Sequence, residues 1–338
     1  MNRKLLFTVV MGALLLYTGG SGVGAASWRI HNNVDRHAHF KDINAAMSSS
    51  DVVDGDTLYL DPGCTLTSNQ TVSKRVTIIG TGYSLDDAVH DVASVNAALY
   101  LSAAGAKVMG VTTTKTWYVR AANVTIERCY ISEVSVTAQN ATIRQCRGFK
   151  FHGNGSAESA YCTIENCIFL LNSNDVPIYS LKNATIRNNY LRNSYASIDY
   201  LMQNVNESII ANNIILHVGK PNALFKSVDG VFSHNVLSCA EGTYASIPAE
   251  SNLMLGEAVE ENLFTLEGTA LRGYQLKDGS LAKGYGDDGG DCGPYGGAYP
   301  YIPSGYPLGV PRFVSSSAGG RATDGTVSFS NQVSIQTK

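Results

Sequence analysis

One motif recurs along the middle of this 338-residue chain and limits the folds open to it. Aligned on a short apolar core, the copies are VTIERCYI from Val124, ATIRQCRG from Ala141, CTIENCIF from Cys162, ATIRNNYL from Ala184, SIIANNII from Ser208 and GVFSHNVL from Gly230. Their sixth residues are Cys129, Cys146, Cys167, Asn189, Asn213 and Asn235, at steps of 17, 21, 22, 24 and 22 residues. An earlier copy, VTIIGTGY from Val76, and a weaker one around Asn262-Leu263-Phe264 extend the series. A period near 22 is too short for a strand–helix–strand unit, which needs about 30 residues. The leucine spacing of a leucine-rich repeat is missing. What fits is a coil of three short strands, each paired in parallel with the next coil about 4.8 Å away. Such a coil buries its alternate side chains only when neighbours stack on it.

Within each copy the x-T-I triplet reads as one strand, residue six as a tight inward-pointing turn, and the next residues as the following strand. Stacked Asn amides at residue six can bond to one another and to turn backbone. Cys fills the same place as a small, weakly polar residue. Cys129, Cys146 and Cys167 are therefore expected to be stacked thiols, their parallel directions opposing a disulfide. The chain has seven cysteines, so at least one thiol stays unpaired. No Cys-x-x-Cys pair exists, which argues against a zinc site built on cysteines.

These residues resemble the right-handed parallel β-helix family of the broad pectate-lyase-like superfamily, most of all exported β-helix repeat proteins of Bacteroidetes. The opening FKDINAAMSSSDVVDGDTLYLDPG (40–63) and KRVTIIGTGY (74–83) carry the same resemblance. It implies an all-β solenoid whose N-terminal end is capped by a short amphipathic helix bearing Phe40, Ile43 and Met47. Gly, Pro and Tyr dominate residues 284–313, as in the Gly-rich ends of many such proteins, and an alternating strand, TVSFSNQVSIQ, follows at 326–336.

The N-terminus reads separately. Asn2-Arg3-Lys4, the apolar run Leu5 to Tyr17 and small residues up to Ala25-Ala26 form a signal-peptide pattern. The run is shorter than the roughly 20 residues a span needs. The expected organisation is a signal peptide over 1–26, a capped β-helix over 27–283, and an irregular segment with a terminal strand over 284–338. The expected product is exported (secreted, periplasmic or on the cell surface), monomeric and without a transmembrane segment. Net charge is −3 with no basic run, which excludes a nucleic-acid footprint.

Lyases and hydrolases of this fold resemble one another in working on the outer face of one parallel sheet, where a polysaccharide can lie. Four residues before each core stand Arg120, Thr137, Glu158, Ser180, Asn204 and Lys226, with Tyr118 and Leu224 two residues away on the same face. Tyr118, Arg120, Glu158 and Lys226 are the expected substrate-binding residues. Arg120 and Lys226 would meet carboxylates, and Tyr118 would stack on a sugar ring. A plain solvated face gives the same alternation. For catalysis the candidates are Glu158, Lys226 and Lys220. No cofactor is expected, unless the chain is a lyase, when Ca²⁺ would be held by clustered carboxylates. Asp175 and Asp199 lie one repeat apart. Asp287, Asp288 and Asp291 form the densest acidic group, GDDGGD, which also reads as a turn whose carboxylates cap amides. His37 and His39 share a face if their segment is extended, and could then pair on a metal or simply face solvent. Sequons at Asn123, Asn140 and Asn183 fall at one repeat position, so the repeat itself accounts for them. The expected function is a non-catalytic scaffold binding an extracellular polysaccharide or cell-surface glycan. The alternative is a polysaccharide lyase or glycoside hydrolase.

Overall fold

A computed structural model describes residues 25–83, 91–155, 159–198, 200–257, 259–266, 274–306, 312–323 and 326–336. The signal-peptide expectation therefore falls almost entirely outside the described residues. The chain forms a right-handed parallel β-helix, with 23 strands in one continuous sheet that winds round three faces. The first face stacks Thr57–Leu60, Thr77–Ile79, Lys107–Met109, Thr125–Glu127, Thr142–Arg144, Thr163–Glu165 and Thr185–Arg187. It ends on the later parts of Met202–Ala211 and Phe225–Ser233. Thr125, Thr142, Thr163, Thr185, Ile209 and Val231 stand in register, so the repeat alignment is the observed one. The second face runs through the strands after residue six. The third lies between it and the next core.

Each corner has a chemical cause. Between the first and second faces, Arg128, Gln145, Asn166, Asn188, Asn212 and His234 all take left-handed backbone, with φ from 52° to 57°. A single left-handed residue between two extended ones turns the chain, and Asn tolerates it best among non-glycines. The bend is thus made by residue five, one before the residue expected to make it. Asn123, Asn140 and Asn183 turn the corner into the first face in the same way, at φ 61°, 58° and 52°.

Residue six then points inward. Asn189, Asn213 and Asn235 are fully buried. Asn213 Nδ2 donates to Ile186 O at 2.8 Å and to Asn235 Oδ1 at 3.0 Å, while its Oδ1 accepts from Asn189 N–H at 2.9 Å. Asn235 continues the pattern onto Asn252, a ladder member the repeat did not reveal. The thiols copy it weakly: Cys146 Sγ contacts Ile126 O at 3.6 Å and accepts from Cys129 N–H at 3.4 Å. All seven cysteines are free and buried. The weaker copy at Asn262 is not a coil. Glu260–Asn262 is a 3-10 turn, and Phe264–Thr265 pairs antiparallel with Gln275–Leu276.

At the N-terminal end, helix Ile43–Ser48 starts at Asp42, whose side chain accepts from Ala45 N–H at 2.7 Å. It buries Ile43, Ala46 and Met47 in the main core, and Asn44 bonds the strand Gln70–Val72 on both sides.

A second core forms outside the solenoid. On the outer side of the second face Ile168, Tyr190, Ile214 and Val236 stand in register, each at most 1% exposed. Leu263, Phe264, Ala282, Cys292 and Tyr301 cover them. The segment at 284–306 is irregular in backbone but packed on both the first and second faces. Residue-five side chains hold it: Asn166 Nδ2 donates to Pro294 O and Gly296 O, and Asn212 exchanges two bonds with Asp287. Gly296 is required because a Cβ there would sit 1.7 Å from Asp291 O. Phe264→Ala should cost about 3–5 kcal/mol. It should also expose Cys292 to thiol reagents while Cys129, Cys146 and Cys167 stay protected, a contrast mass spectrometry of labelled peptides would read. The strands Arg312–Thr323 and Thr326–Gln336 pair antiparallel as a separate hairpin.

Candidate functional site

The C-terminal segment covers part of the outer sides of the first and second faces, and the third face presents a broad outer sheet surface to a ligand. Its outer row in register is Tyr100, Tyr118, Ser135, His152, Tyr179, Gln203 and Lys226. Tyr118 and Lys226 therefore share a row, about 24 Å apart at five coil steps. Arg120 and Thr137 belong to a second row. Ser180 and Asn204 are left-handed kinks, at φ 58° and 52°, rather than row members. Leu224 is fully buried and faces inward, which corrects its placement beside Tyr118. Glu158 and Asp199 lie outside the described residues.

The row is aromatic and cationic at its start. Tyr100 and Tyr118 stack at 5.1 Å, and the Arg120 guanidinium lies 4.1 Å over the Tyr100 ring. Stacking follows from placing rings one coil apart. It also means that Tyr118 turns one ring face to Tyr100 and not to a sugar. At the far end Lys226 Nζ lies 5.1 Å over the Tyr200 ring.

The centre holds the face's densest chemistry, which sequence reasoning missed. Glu133 Oε1 lies 3.0 Å from His152 Nε2, and its Oε2 accepts from Thr116 Oγ1 at 2.8 Å. Lys150 Nζ lies 3.5 Å from Glu133 and 3.2 Å from Asp175. His152 stacks flat on Tyr179, at 4.5 Å and 4°. Burial opposes ionisation of Glu133, yet Thr116, Lys150 and His152 together hold its carboxyl below the ordinary range. Burial likewise opposes the charge on Lys150, but Asp175 and Glu133 push its pKa up. Burial raises the Tyr179 phenol, opposed by Lys150. The signal was the register of Glu133 with Lys150 and of His152 with Tyr179, but the long connection before Cys162 hid it.

The other candidates are placed elsewhere. Asp175 joins Lys150 as described. Lys220 lies in the turn after His217, to whose Nδ1 its N–H donates, away from the row of Lys226. Asp287 accepts from Arg187 and Asn212, Asp288 caps Gly290 N–H, and Asp291 caps Gly284 N–H, so these three serve the 284–306 segment, a clasp over the first and second faces, and its turns. His37 is left-handed at φ 48°, which breaks the extended segment needed for pairing with His39. His39 instead accepts from Arg29 N–H. Among the described residues no three His, Cys, Asp or Glu side chains converge as a metal-binding group. No described helix is long and apolar enough to cross a membrane.

A second charged row lies on the outer side of the first face: Glu127, Arg144, Glu165 and Arg187, one per coil. Glu127 is 2% exposed, with Arg144 at 2.9 Å, Arg128 at 2.8 Å and Lys107 at 3.1 Å. Tyr299 covers Arg144 at 4.4 Å, and Asp287 pairs with Arg187 at 3.2 Å. This row anchors the clasp. Compared with protein-family models, curated proteins and solved structures, the chain matches none.

Proposed function

We propose that this protein is a non-catalytic carbohydrate-binding scaffold, which takes an extended polysaccharide along the outer row of its third face. The observation that carries this reading is the row itself: one ring or hydrogen-bonding side chain per coil, from Tyr100 to Lys226, repeating in one dimension as a polysaccharide does. Arg120 and Lys226 favour an acidic glycan. The titratable groups at the centre favour binding over turnover. A general base works best with a pKa near the operating pH. Lys150 and Tyr179 are both pushed away from it, and Glu133 is held as a carboxylate by three partners. In this reading the chain is an exported monomer of the pectate-lyase-like kind, akin to exported β-helix repeat proteins of Bacteroidetes.

The second reading, a lyase or hydrolase, draws on the close grouping of Glu133, Lys150, His152 and Tyr179. Incubation with polyuronates and neutral glycans, with and without Ca²⁺, separates the two. Binding without product is expected, and Tyr179→Ala or Arg120→Ala should each weaken it about tenfold, or about 1.4 kcal/mol. Unsaturated products or new reducing ends that disappear in Glu133→Gln would replace the scaffold with the enzyme.

A further inference from the structure

The interior holds a group that the binding face does not use. Cys129, Cys146 and Cys167 occupy the same inward position on three successive coils, bounded along the row by Val111 and Asn189. Their thiols contact backbone carbonyls, and Cys146 Sγ also accepts from Cys129 N–H. Cys129 reaches Glu127 O, Cys146 reaches Arg144 O and Cys167 reaches Glu165 O, each at 3.2 Å. Stacked side chains in register repeat at the strand spacing of about 4.8 Å. A sulfur–sulfur bond is about 2.05 Å, far shorter than that repeat. Two metal–thiolate bonds of about 2.3 Å laid end to end span about 4.6 Å, which nearly matches it.

The middle thiol also borders an opening. Gly148 stands in register between Ile131 and Phe169, two buried side chains, and so leaves a gap in that inward row. Cys146 and Arg147 line the resulting small apolar void, which is close to the least that one water-sized guest needs.

We propose that this thiol row binds one soft monovalent d¹⁰ cation, Cu(I), in linear two-coordination between Cys146 and either Cys129 or Cys167. Soft thiolates select such ions. Two S–H bonds ionise, two metal–sulfur bonds form, and two protons leave to solvent. The bis-thiolate then carries one negative charge. Because Cys146 belongs to both possible pairs, the row holds a single ion, and either outer thiol can be spared but the middle one cannot.

The test is titration of the reduced full chain with Cu(I) against a competing chelator without oxygen, followed by X-ray absorption. One ion with two sulfur neighbours is expected. Cys146→Asn should weaken binding at least a hundredfold, and the chain itself uses Asn at this position in Asn189, Asn213 and Asn235. Cys129→Asn and Cys167→Asn singly should stay within about tenfold, while the double variant, which keeps Cys146, should lose the site. If Cys146→Asn fails to fold, the two outer variants and their double decide. Unchanged binding in Cys146→Asn or in the double variant, three sulfur neighbours, no binding by the native chain, or loss of two hydrogen atoms to a disulfide would each overturn the proposal.

Discussion

Asn213→Leu is expected to lower stability by at least about 3 kcal/mol, seen as a lower urea midpoint at unchanged slope. The residue is fully buried and links three coils. Leucine fits the space poorly and cannot bond, so Asn189 N–H and Ile186 O lose their side-chain partner in a place water does not reach. Each stranded buried group costs about 1–3 kcal/mol. Asn213→Cys should cost less, since the fold places Cys in the same position at Cys129, Cys146 and Cys167, with weak versions of the same bonds. Equal losses in the two variants would mean that shape, and not hydrogen bonding, sets the ladder's contribution.

Glu127→Gln should cost about 2–4 kcal/mol and loosen the C-terminal clasp. Breaking one partner from a buried ionic group is worth about 3–5 kcal/mol. Here Lys107 and Arg144 reach solvent, which screens part of the loss. The sign of the pH dependence follows from the carboxyl. Burial opposes its charge, but Arg144, Arg128 and Lys107 outweigh burial and lower its pKa in the folded state. Its contribution is therefore complete above the unfolded-state value near 4.3 and fades as pH falls through the lower folded value. Glu133, also lowered, adds to the same acid limb. Thermal melts between pH 3 and 7 should show a shallower acid limb in Glu127→Gln. An unchanged limb would show that the charged row on the first face is indifferent to this carboxylate.

Part of this molecule was legible because a solenoid repeats in sequence what it repeats in space. Each Thr-Ile core fell in register, and six ladder residues were found from spacing alone. Asn252 escaped because a 3-10 turn, Ala249–Ser251, stands where the other coils carry an apolar strand, and Asn262 misled because an Asn before apolar residues also occurs in a 3-10 turn. The outer row of the third face was misread for a geometric reason. From Tyr118, Ser135, His152, Tyr179, Gln203 and Lys226 to the start of the next core the chain takes 6, 6, 10, 5, 5 and 4 residues. A fixed count of four finds only Lys226. Kinks at Ser180, Asn204 and Ser227, at φ 58°, 52° and 51°, absorb residues without advancing the strand. Local pattern cannot register such a slip, and a one-residue slip changes which face a side chain occupies.

The adjacent pair Asn188-Asn189 separates the two kinds of information. The sequence by itself determined that residue six is small and able to bond, and hence that coils stack around an inward ladder, because periodic burial leaves a periodic trace. The runs Cys-Ile-Phe-Leu, Asn-Tyr-Leu and Asn-Ile-Ile-Leu also carried a trace that alternation alone overlooked: a strand covered on both sides is apolar without a break. What only the tertiary structure decided was what covers it. Asn188 turns outward and bonds Asp291 O, more than 100 positions along the chain. Glu133 meets His152 on the next coil, and Tyr299 covers Arg144, the partner of buried Glu127. The contacts of Asn188 and Tyr299 join segments whose separation follows no period, so only packing could bring them together.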